Sequence, residues 1–291
     1  MLKKYYYQFF LLALAFVLFY NNDYKVIIVG IAIFFVGMLF MEEGFKLFNS
    51  GLLEKVLQVS TNTIPKAIGT GAIATAITQS SSLISIIIIS FLSAELITLS
   101  GAVGVIFGSN VGSTTTAWII SSLGVKIDIA TYAMPLIVFG VAFKFSNNKN
   151  YQGIGKIVLG LGFILLGIDY MKDGFEGLES RFDLSKFAVE GYFGALVYVS
   201  LGVVATVIMH SSAATMALII TALATNQIIY INAVELVIGA NIGKTITAIL
   251  GSIASNANGK RVALSHFIFN AATAVIAIIF LYQLSDFVIF L

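Results

Sequence analysis

The chain has 291 residues, of which 59% are hydrophobic and 10% are charged, and its mean hydropathy is +0.99. Soluble domains carry about 25% charged residues, so this composition excludes a soluble enzyme and predicts a protein that lies in a lipid bilayer. The net charge of +2 offers no basic surface for a nucleic acid. The absence of cysteine excludes disulfides and thiolate chemistry, and two histidines are too few for a histidine-based metal cluster.

Apolar segments follow one another along the chain and predict about seven full membrane spans. A span needs roughly 20 residues, and we place spans at about 5–20, 26–41, 96–120, 129–143, 157–170, 228–254 and 262–284. The first segment follows Lys3 and Lys4, as in a signal peptide, but no small-residue cleavage site precedes Asn21. We therefore interpret residues 1–25 as a retained helix. Glu42, Glu43 and Lys46 fall at a predicted span end, where we expect solvated side chains.

Two further apolar stretches, at about 67–93 and 198–225, are interrupted in the middle by polar residues. Each half has about a dozen residues, or ~18 Å of helix, which is shorter than the ~30 Å hydrocarbon core. We predict that each stretch is a re-entrant hairpin that enters and leaves the membrane on one side. The alternative is that both stretches cross fully.

An internal repeat divides the chain. Gly71–Ala117 aligns without a gap on Gly202–Ala248 at an offset of 131, with 18 identities in 47 positions. Nine of the 18 identities are Ser, Thr, Asn or Gly, and a shared aliphatic composition does not explain these. Upstream, Gly37–Phe45 resembles Gly167–Phe175. The sequence therefore predicts two copies of one unit, over residues 26–148 and 149–291.

The basic residues predict how the two copies are oriented. With a cytoplasmic N-terminus in the cell membrane, the inner side holds Lys3, Lys4, Lys46, Lys55, Lys66, Lys144, Lys149, Lys156, Lys260 and Arg261, and the outer side holds Lys25, Lys126, Lys172, Arg181 and Lys186. This distribution follows the positive-inside rule and makes the first hairpin enter from inside and the second from outside. The predicted fold is an all-α polytopic membrane protein with inverted repeats, which is typical of a secondary transporter.

The two hairpin tips, Thr78–Ser82 and Met209–Ala213, suit a small oxyanion. A serine in each tip can cap the half-helix that follows, near Leu83 and Ala214. The N-terminus of such a helix presents free N–H groups and the positive end of the helix dipole, which favour an anion. His210 either donates to the anion or is a neutral, hydrogen-bonded side chain. The predicted anion-binding set is Ser81, Ser82, Asn110, His210, Ser211, Ser212 and Asn241.

A second pair of breaks, Gly108–Thr116 and Gly239–Thr247, interrupts the spans at 96–120 and 228–254. Glycines beside Asn110 and Asn241 let the chain unwind, and freed carbonyls with Ser, Thr and Asn oxygens are hard ligands suited to Na⁺. Thr245 and Thr247 are further polar residues of the second break. Gly239–Thr245 is not a nucleotide-binding loop, because three residues separate its glycines where that motif has four.

At these residues the sequence resembles the type II sodium-dependent inorganic phosphate cotransporter family. That family has a duplicated Gln-Ser-Ser-Ser motif in inverted repeats, each followed by a Gly-Ser-Asn-x-Gly-Thr-Thr-Thr-type break. Gln79–Ser82 and Gly108–Thr116 match closely, whereas His210–Ala213 and Gly239–Thr247 are degenerate. The resemblance covers about residues 30–255 and implies Na⁺-coupled transport of inorganic phosphate by alternating access, with no cofactor besides the coupling ion.

The resemblance also implies ligands for the two ions. It assigns the predicted anion-binding set to phosphate, and one Na⁺ to Gln79, Ser80, Ser109, Ser113 and Thr116. Lys244 stands where the first copy has Ser113, so its ammonium group could replace one Na⁺. The alternatives are that Lys244 extends to an interface or pairs with Glu235. Some bacterial relatives carry a PhoU-like domain, which we expect to be absent from this chain, since it ends at Leu291.

Other functions remain open at this stage. Helix dipoles and hydroxyl groups fix neither the anion nor the direction, so a phosphate exporter or a carrier of sulfate or arsenate is the first alternative. An anion channel or a phosphate-sensing membrane subunit is the second. An enzyme is not expected, because no nucleophile with a matching base occurs within the spans.

Overall fold

The computed structural model describes residues 18–19, 22–48, 55–57, 60–124, 129–179 and 191–290, and the regular structure of these residues is helical. This confirms the predicted all-α class. The predicted N-terminal helix over 1–25 lies almost entirely outside the described residues. The helices are α1 (Asn22–Phe48), α2 (Ile64–Thr78), α3 (Ser81–Ser93), α4 (Leu99–Gly112), α5 (Thr114–Gly124), α6 (Ile129–Lys144), α7 (Lys149–Glu179), α8 (Gly191–Met209), α9 (Ser212–Ala224), α10 (Tyr230–Gly243), α11 (Thr245–Ser252), α12 (Ala257–Ile279) and α13 (Leu281–Phe290).

Several of these helices have the length and apolar surface of membrane spans. Within the described residues, five segments are long and apolar enough to cross: Asn22–Leu47, Lys149–Leu178, Gly191–Met209, Tyr230–Ser252 and Ala257–Ile279. Large apolar side chains on the outer surface, such as Ile73, Val138 and Ile208, are more than 45% exposed. Side chains of this kind are solvated by lipid, so the chain is a multi-pass membrane protein.

Helices α1 and α7 form a long antiparallel pair held at glycines. Gly30 lies against Gly167, Gly37 against Gly160 and Gly44 against Gly153, so residue numbers rise along one helix as they fall along the other. A methyl group on Gly37 would lie 2.6 Å from the carbonyl oxygen of Gly160. Small residues allow this close backbone approach, which is how membrane helices pack without a hydrophobic driving force.

Helices α2 and α3 form a hairpin, and α8 and α9 repeat it. α2 ends where Gln79 adopts a left-handed conformation, with φ of 53°, and α8 ends at His210, with φ of 50°. Gly101 at the start of α4 lies against Thr61, just before α2, so α3 runs back toward the level at which α2 began. The turns after α3 and α9 also match, with φ of 59° at Glu95 and 55° at Asn226. The backbone thus repeats at the offset seen in the sequence.

Each hairpin packs its second helix against helices of the other copy. α3 packs against α11 and α12, whereas α9 packs against α5 and α1 and also against α7 of its own copy. In the first contact, Ile84 and Ile88 share an apolar cluster with Ala248 and Val262. In the second, Ala214 and Ala217 share one with Phe34, Ile120 and Ile168. This exchange brings the two hairpin tips together in the middle of the molecule.

Candidate functional site

Both hairpin tips begin a new helix with a serine cap. The Ser80 hydroxyl accepts a hydrogen bond from the Leu83 backbone N–H at 3.2 Å, and the Ser211 hydroxyl accepts one from Ala214 at 3.2 Å. Both serines have the extended backbone of a residue that precedes a helix. These are the caps predicted from the sequence, and they leave other N–H groups of the first turn directed toward the tips.

The two tips line one cavity of about 150 Å³ against α1. Ser211 lies on Met38, with its Oγ 3.7 Å from the sulfur, and the Ser80 hydroxyl donates to Glu42 Oε2 at 3.4 Å. Five of the seven residues predicted to bind the anion therefore lie together here. The lining residues are Phe35, Met38, Leu39, Glu42, Gln79, Ser80, Ser81, Ser82, His210, Ser211, Ser212 and Ala213.

A second cavity of about 270 Å³ lies between the tips and the helix breaks. Gln79 is its best-connected polar residue: its Oε1 accepts from Thr116 Oγ1 at 2.8 Å, and its Nε2 donates to Thr115 Oγ1 at 3.0 Å. Ser113 lines the same cavity. Ser81 and Ser212, from the two tips, line it as well, so this cavity adjoins the first one.

The predicted Na⁺ ligands are only partly brought together. Gln79, Ser113 and Thr116 line the second cavity. Ser80 instead faces Glu42, and the buried hydroxyl of Ser109 donates to the carbonyl of its own helix at Ile106, at 2.8 Å. Thr115, in the same run of threonines, is a further oxygen-bearing neighbour of Gln79.

Asn110 and Asn241 occupy equivalent positions but do not both lie at the tips. Each side-chain amide donates to the carbonyl four residues earlier, at 3.1 Å and 3.2 Å. Asn241 lines the second cavity, and both asparagines line a third cavity of about 330 Å³, next to Asn270 and Thr273 of α12. The buried Oδ1 of Asn110 has no hydrogen-bond partner among the described residues. Asn270 and Thr273 have no counterpart in the repeated motifs, so the repeat gave no signal for them.

Lys244 reaches across to its own counterpart in the first copy. Its side chain is 4% exposed, and its Nζ donates to Ser113 Oγ at 3.2 Å. It therefore does not extend to a membrane interface. The carboxylate of Glu235 accepts from Asn232 at 3.1 Å, and no carboxylate of the described residues lies within ion-pair distance of Lys244.

The second break also contacts the first hairpin. Ser82 Oγ donates to Thr247 Oγ1 at 3.3 Å, and Thr247 donates in turn to the Lys244 carbonyl at 2.9 Å. Thr245 donates to the carbonyl of Ile242 at 2.7 Å. The tip of one copy and the broken helix of the other therefore form a continuous polar contact.

Comparison with known proteins shows which family and which proteins the chain resembles. Residues 33–173 match the family model described as Na+/Pi-cotransporter. "Uncharacterized protein YqeW" of Bacillus subtilis is 28% identical over 261 residues, which are 89% of this chain and 82% of that protein. "Putative inorganic phosphate export protein YjbB" of Escherichia coli K12 is 27% identical over 235 residues. That match covers 80% of this chain but 42% of the relative, so the chain spans under half of its length.

The YjbB protein of Salmonella typhimurium is 26% identical over the same length. No solved structure matches the chain. The family match includes the first hairpin and the first helix break, which carry the best-preserved copy of the motif. The resemblance seen in the sequence is confirmed, since residues 33–173 match the Na⁺/Pi-cotransporter family model.

Proposed function

We propose that this chain is a secondary transporter that moves inorganic phosphate together with Na⁺ by alternating access. The observation that carries this proposal is the meeting of two serine-capped tips, Ser80–Ser82 and Ser211–Ala213, around one cavity. Two helix N-termini directed at the same volume favour an anion through their N–H groups and dipoles. Hydroxyl groups donate to phosphate oxygens without adding a fixed positive charge, so the anion can be released again.

Alternating access requires two halves that can exchange their roles, and we propose that the repeats are inverted in the membrane. The antiparallel pairing of α1 with α7 supports this, because these helices stand at the same place in the two copies. Within each copy the order is preserved: α4 packs parallel to α2, and α10 packs parallel to α8. The binding cavities then lie at the interface of the repeats, as in other transporters with broken helices.

For the coupling ion we propose the oxygens of Gln79, Ser113 and Thr116, with Thr115 beside them. The contacts around Gln79 support this, since they hold hard oxygen ligands in one cavity that adjoins the proposed anion site. Lys244 places its side-chain nitrogen 3.2 Å from Ser113 Oγ. We propose that the protonated side chain of Lys244 takes the place of one Na⁺, which the second copy would bind if it carried a hydroxyl at this position as the first copy does at Ser113.

Phosphate export is the second candidate function. The names of the Escherichia coli and Salmonella typhimurium relatives favour it, because they describe inorganic phosphate export proteins. The same cavity can serve either direction, since a dipole-and-hydroxyl site does not depend on which side the anion comes from. The difference lies in whether a Na⁺ gradient drives the movement.

The test is uptake of labelled phosphate into proteoliposomes, with and without an inward Na⁺ gradient. We expect concentrative uptake that requires Na⁺ in the wild type and is lost in Ser81→Ala. The matched control is Ser90→Ala on the same helix, where the exposed hydroxyl bonds only to the Ile86 carbonyl. Phosphate movement into the vesicles that ignores the Na⁺ gradient would refute Na⁺ coupling and favour the second candidate function. Normal uptake in Ser81→Ala would refute the site.

A further inference from the structure

We propose that Glu42 and Ser80 form a second Na⁺ site at the edge of the tip cavity, and that this site makes phosphate binding depend on the cation. The inference rests on the proposed function and adds a ligand that the repeated motifs do not contain. Glu42 belongs to α1, outside both hairpins and both helix breaks. Its counterpart in the second copy is Lys172, so only one half of the chain carries a carboxylate at this position.

The geometry of the two oxygens fits a shared cation. Glu42 Oε2 lies 3.4 Å from Ser80 Oγ, beyond the usual 2.7–2.8 Å of a hydroxyl–oxygen hydrogen bond. Two oxygens at right angles around a cation, each at about 2.4 Å, lie about 3.4 Å apart. The long hydrogen bond between the hydroxyl and the carboxylate is therefore also compatible in length with two ligands of one ion. Na⁺ accepts such hard oxygen ligands.

The charge of Glu42 supplies the coupling. Its carboxylate lines the same 150 Å³ cavity as Ser81, Ser82 and Ser212, which we propose to bind phosphate. A carboxylate and a phosphate in the same cavity repel each other. A cation held between Glu42 and Ser80 removes that repulsion, so each ion then favours binding of the other.

Lys46 is an internal competitor for the same carboxylate. Its Nζ lies 2.7 Å from Glu42 Oε1, the oxygen that does not face Ser80. The Lys46 side chain is about half exposed, so this pair is weak and leaves the inner oxygen available. If the pair is purely structural, loss of either partner should change Na⁺ affinity in the same direction. If Glu42 binds Na⁺, loss of Glu42 should lower Na⁺ affinity and loss of Lys46 should raise it.

Glu43 is a matched control. It adjoins Glu42 in sequence and also lies 2.7 Å from a lysine, Lys156 of α7. Its side chain is 54% exposed, against 28% for Glu42, and it is not among the residues that line the tip cavity. Glu42→Gln and Glu43→Gln therefore remove the same charge and break one ion pair each, within α1 for Glu42 and between α1 and α7 for Glu43, but only the first removes a cavity ligand.

The experiment measures binding of ²²Na⁺ to the purified protein, with and without phosphate, and the Na⁺ dependence of phosphate uptake. We expect Glu42→Gln to raise the Na⁺ concentration for half-maximal effect about tenfold, the scale of one lost charged ligand. Lys46→Gln should lower it severalfold, and Glu43→Gln should leave it unchanged. Phosphate should also bind Glu42→Gln in the absence of Na⁺ more tightly than it binds the wild type.

The binding assay separates this inference from the proposed function. The proposed site would be overturned if Glu42→Gln bound Na⁺ as tightly as the wild type. It would also be overturned if Na⁺ affinity fell equally in all three variants, Glu42→Gln, Glu43→Gln and Lys46→Gln. Absence of Na⁺ binding in the wild type would overturn it too. If uptake ignored Na⁺ while the wild type bound ²²Na⁺ and Glu42→Gln did not, symport would be refuted and the site would stand.

Discussion

The close contact between α1 and α7 predicts a specific cost for adding one methyl group. In Gly37→Ala the new Cβ would lie 2.6 Å from the Gly160 carbonyl oxygen, whereas ordinary contact begins at 3.4 Å. The backbones must therefore separate by about 0.8 Å at this point, because a backbone oxygen cannot rotate away as a side chain can. The separation also loosens the neighbouring glycine contacts at Gly30 and Gly44.

Gly69→Ala provides the reference for this change. Gly69 also lies inside a helix, α2, but a Cβ there would meet nothing within 4 Å. Both variants gain about 0.5–1 kcal/mol because alanine is the better helix former. That gain cancels in the comparison, so the difference between the two variants measures the overlap alone. Overpacking of this kind costs about 1–3 kcal/mol.

The assay is thermal unfolding of both purified variants in the same detergent. With about 2–4 °C per kcal/mol for a chain of this size, Gly37→Ala should unfold at least a few degrees below Gly69→Ala. If the two variants unfolded at the same temperature, the α1–α7 contact would be looser than the structure shows. Phosphate uptake by Gly69→Ala, which should equal that of the wild type, checks that the reference variant is intact.

Two further predictions concern the tips and the breaks. Ser211→Ala removes the cap of α9 and should destabilise the protein by about 1 kcal/mol, measured as a lower unfolding temperature. The control is Ser200→Ala, whose exposed hydroxyl donates to the Leu196 carbonyl and which should leave the unfolding temperature unchanged. Equal unfolding temperatures for the two variants would contradict the cap. Lys244→Thr removes the amine beside Ser113 and should raise the number of Na⁺ ions transported per phosphate. An unchanged Na⁺ Hill coefficient and reversal potential would count against the proposal that Lys244 replaces one Na⁺.

The repeat made the tips predictable from the sequence. Ser80 and Ser211 stand at the same place in two aligned segments, so each supported the interpretation of the other, and both are caps in the structure. The family resemblance depended on the same residues. A duplicated polar motif inside apolar helices is informative, because polar residues there need a structural or functional reason.

Single residues outside the repeat were not predictable in this way. Glu42 and Glu43 are adjacent carboxylates at a span end, and nothing in the sequence separates them. Only the packing of α1 against the tips turns Glu42 toward Ser80 and leaves Glu43 on the surface. Ser109 shows the opposite case: its position matches the motif, but its hydroxyl is taken by the Ile106 carbonyl. Local spacing defines which residues are near a break, and tertiary packing decides where each side chain points.

The contact between Lys244 and Ser113 has a consequence for how the two copies can differ. These residues stand at one position of the duplicated unit, 131 residues apart, and they touch. A substitution at this position changes the surroundings of both copies at once, because each copy provides the neighbour of the other. The lysine therefore places a basic group where the two halves meet, at a position where the first copy has only a hydroxyl.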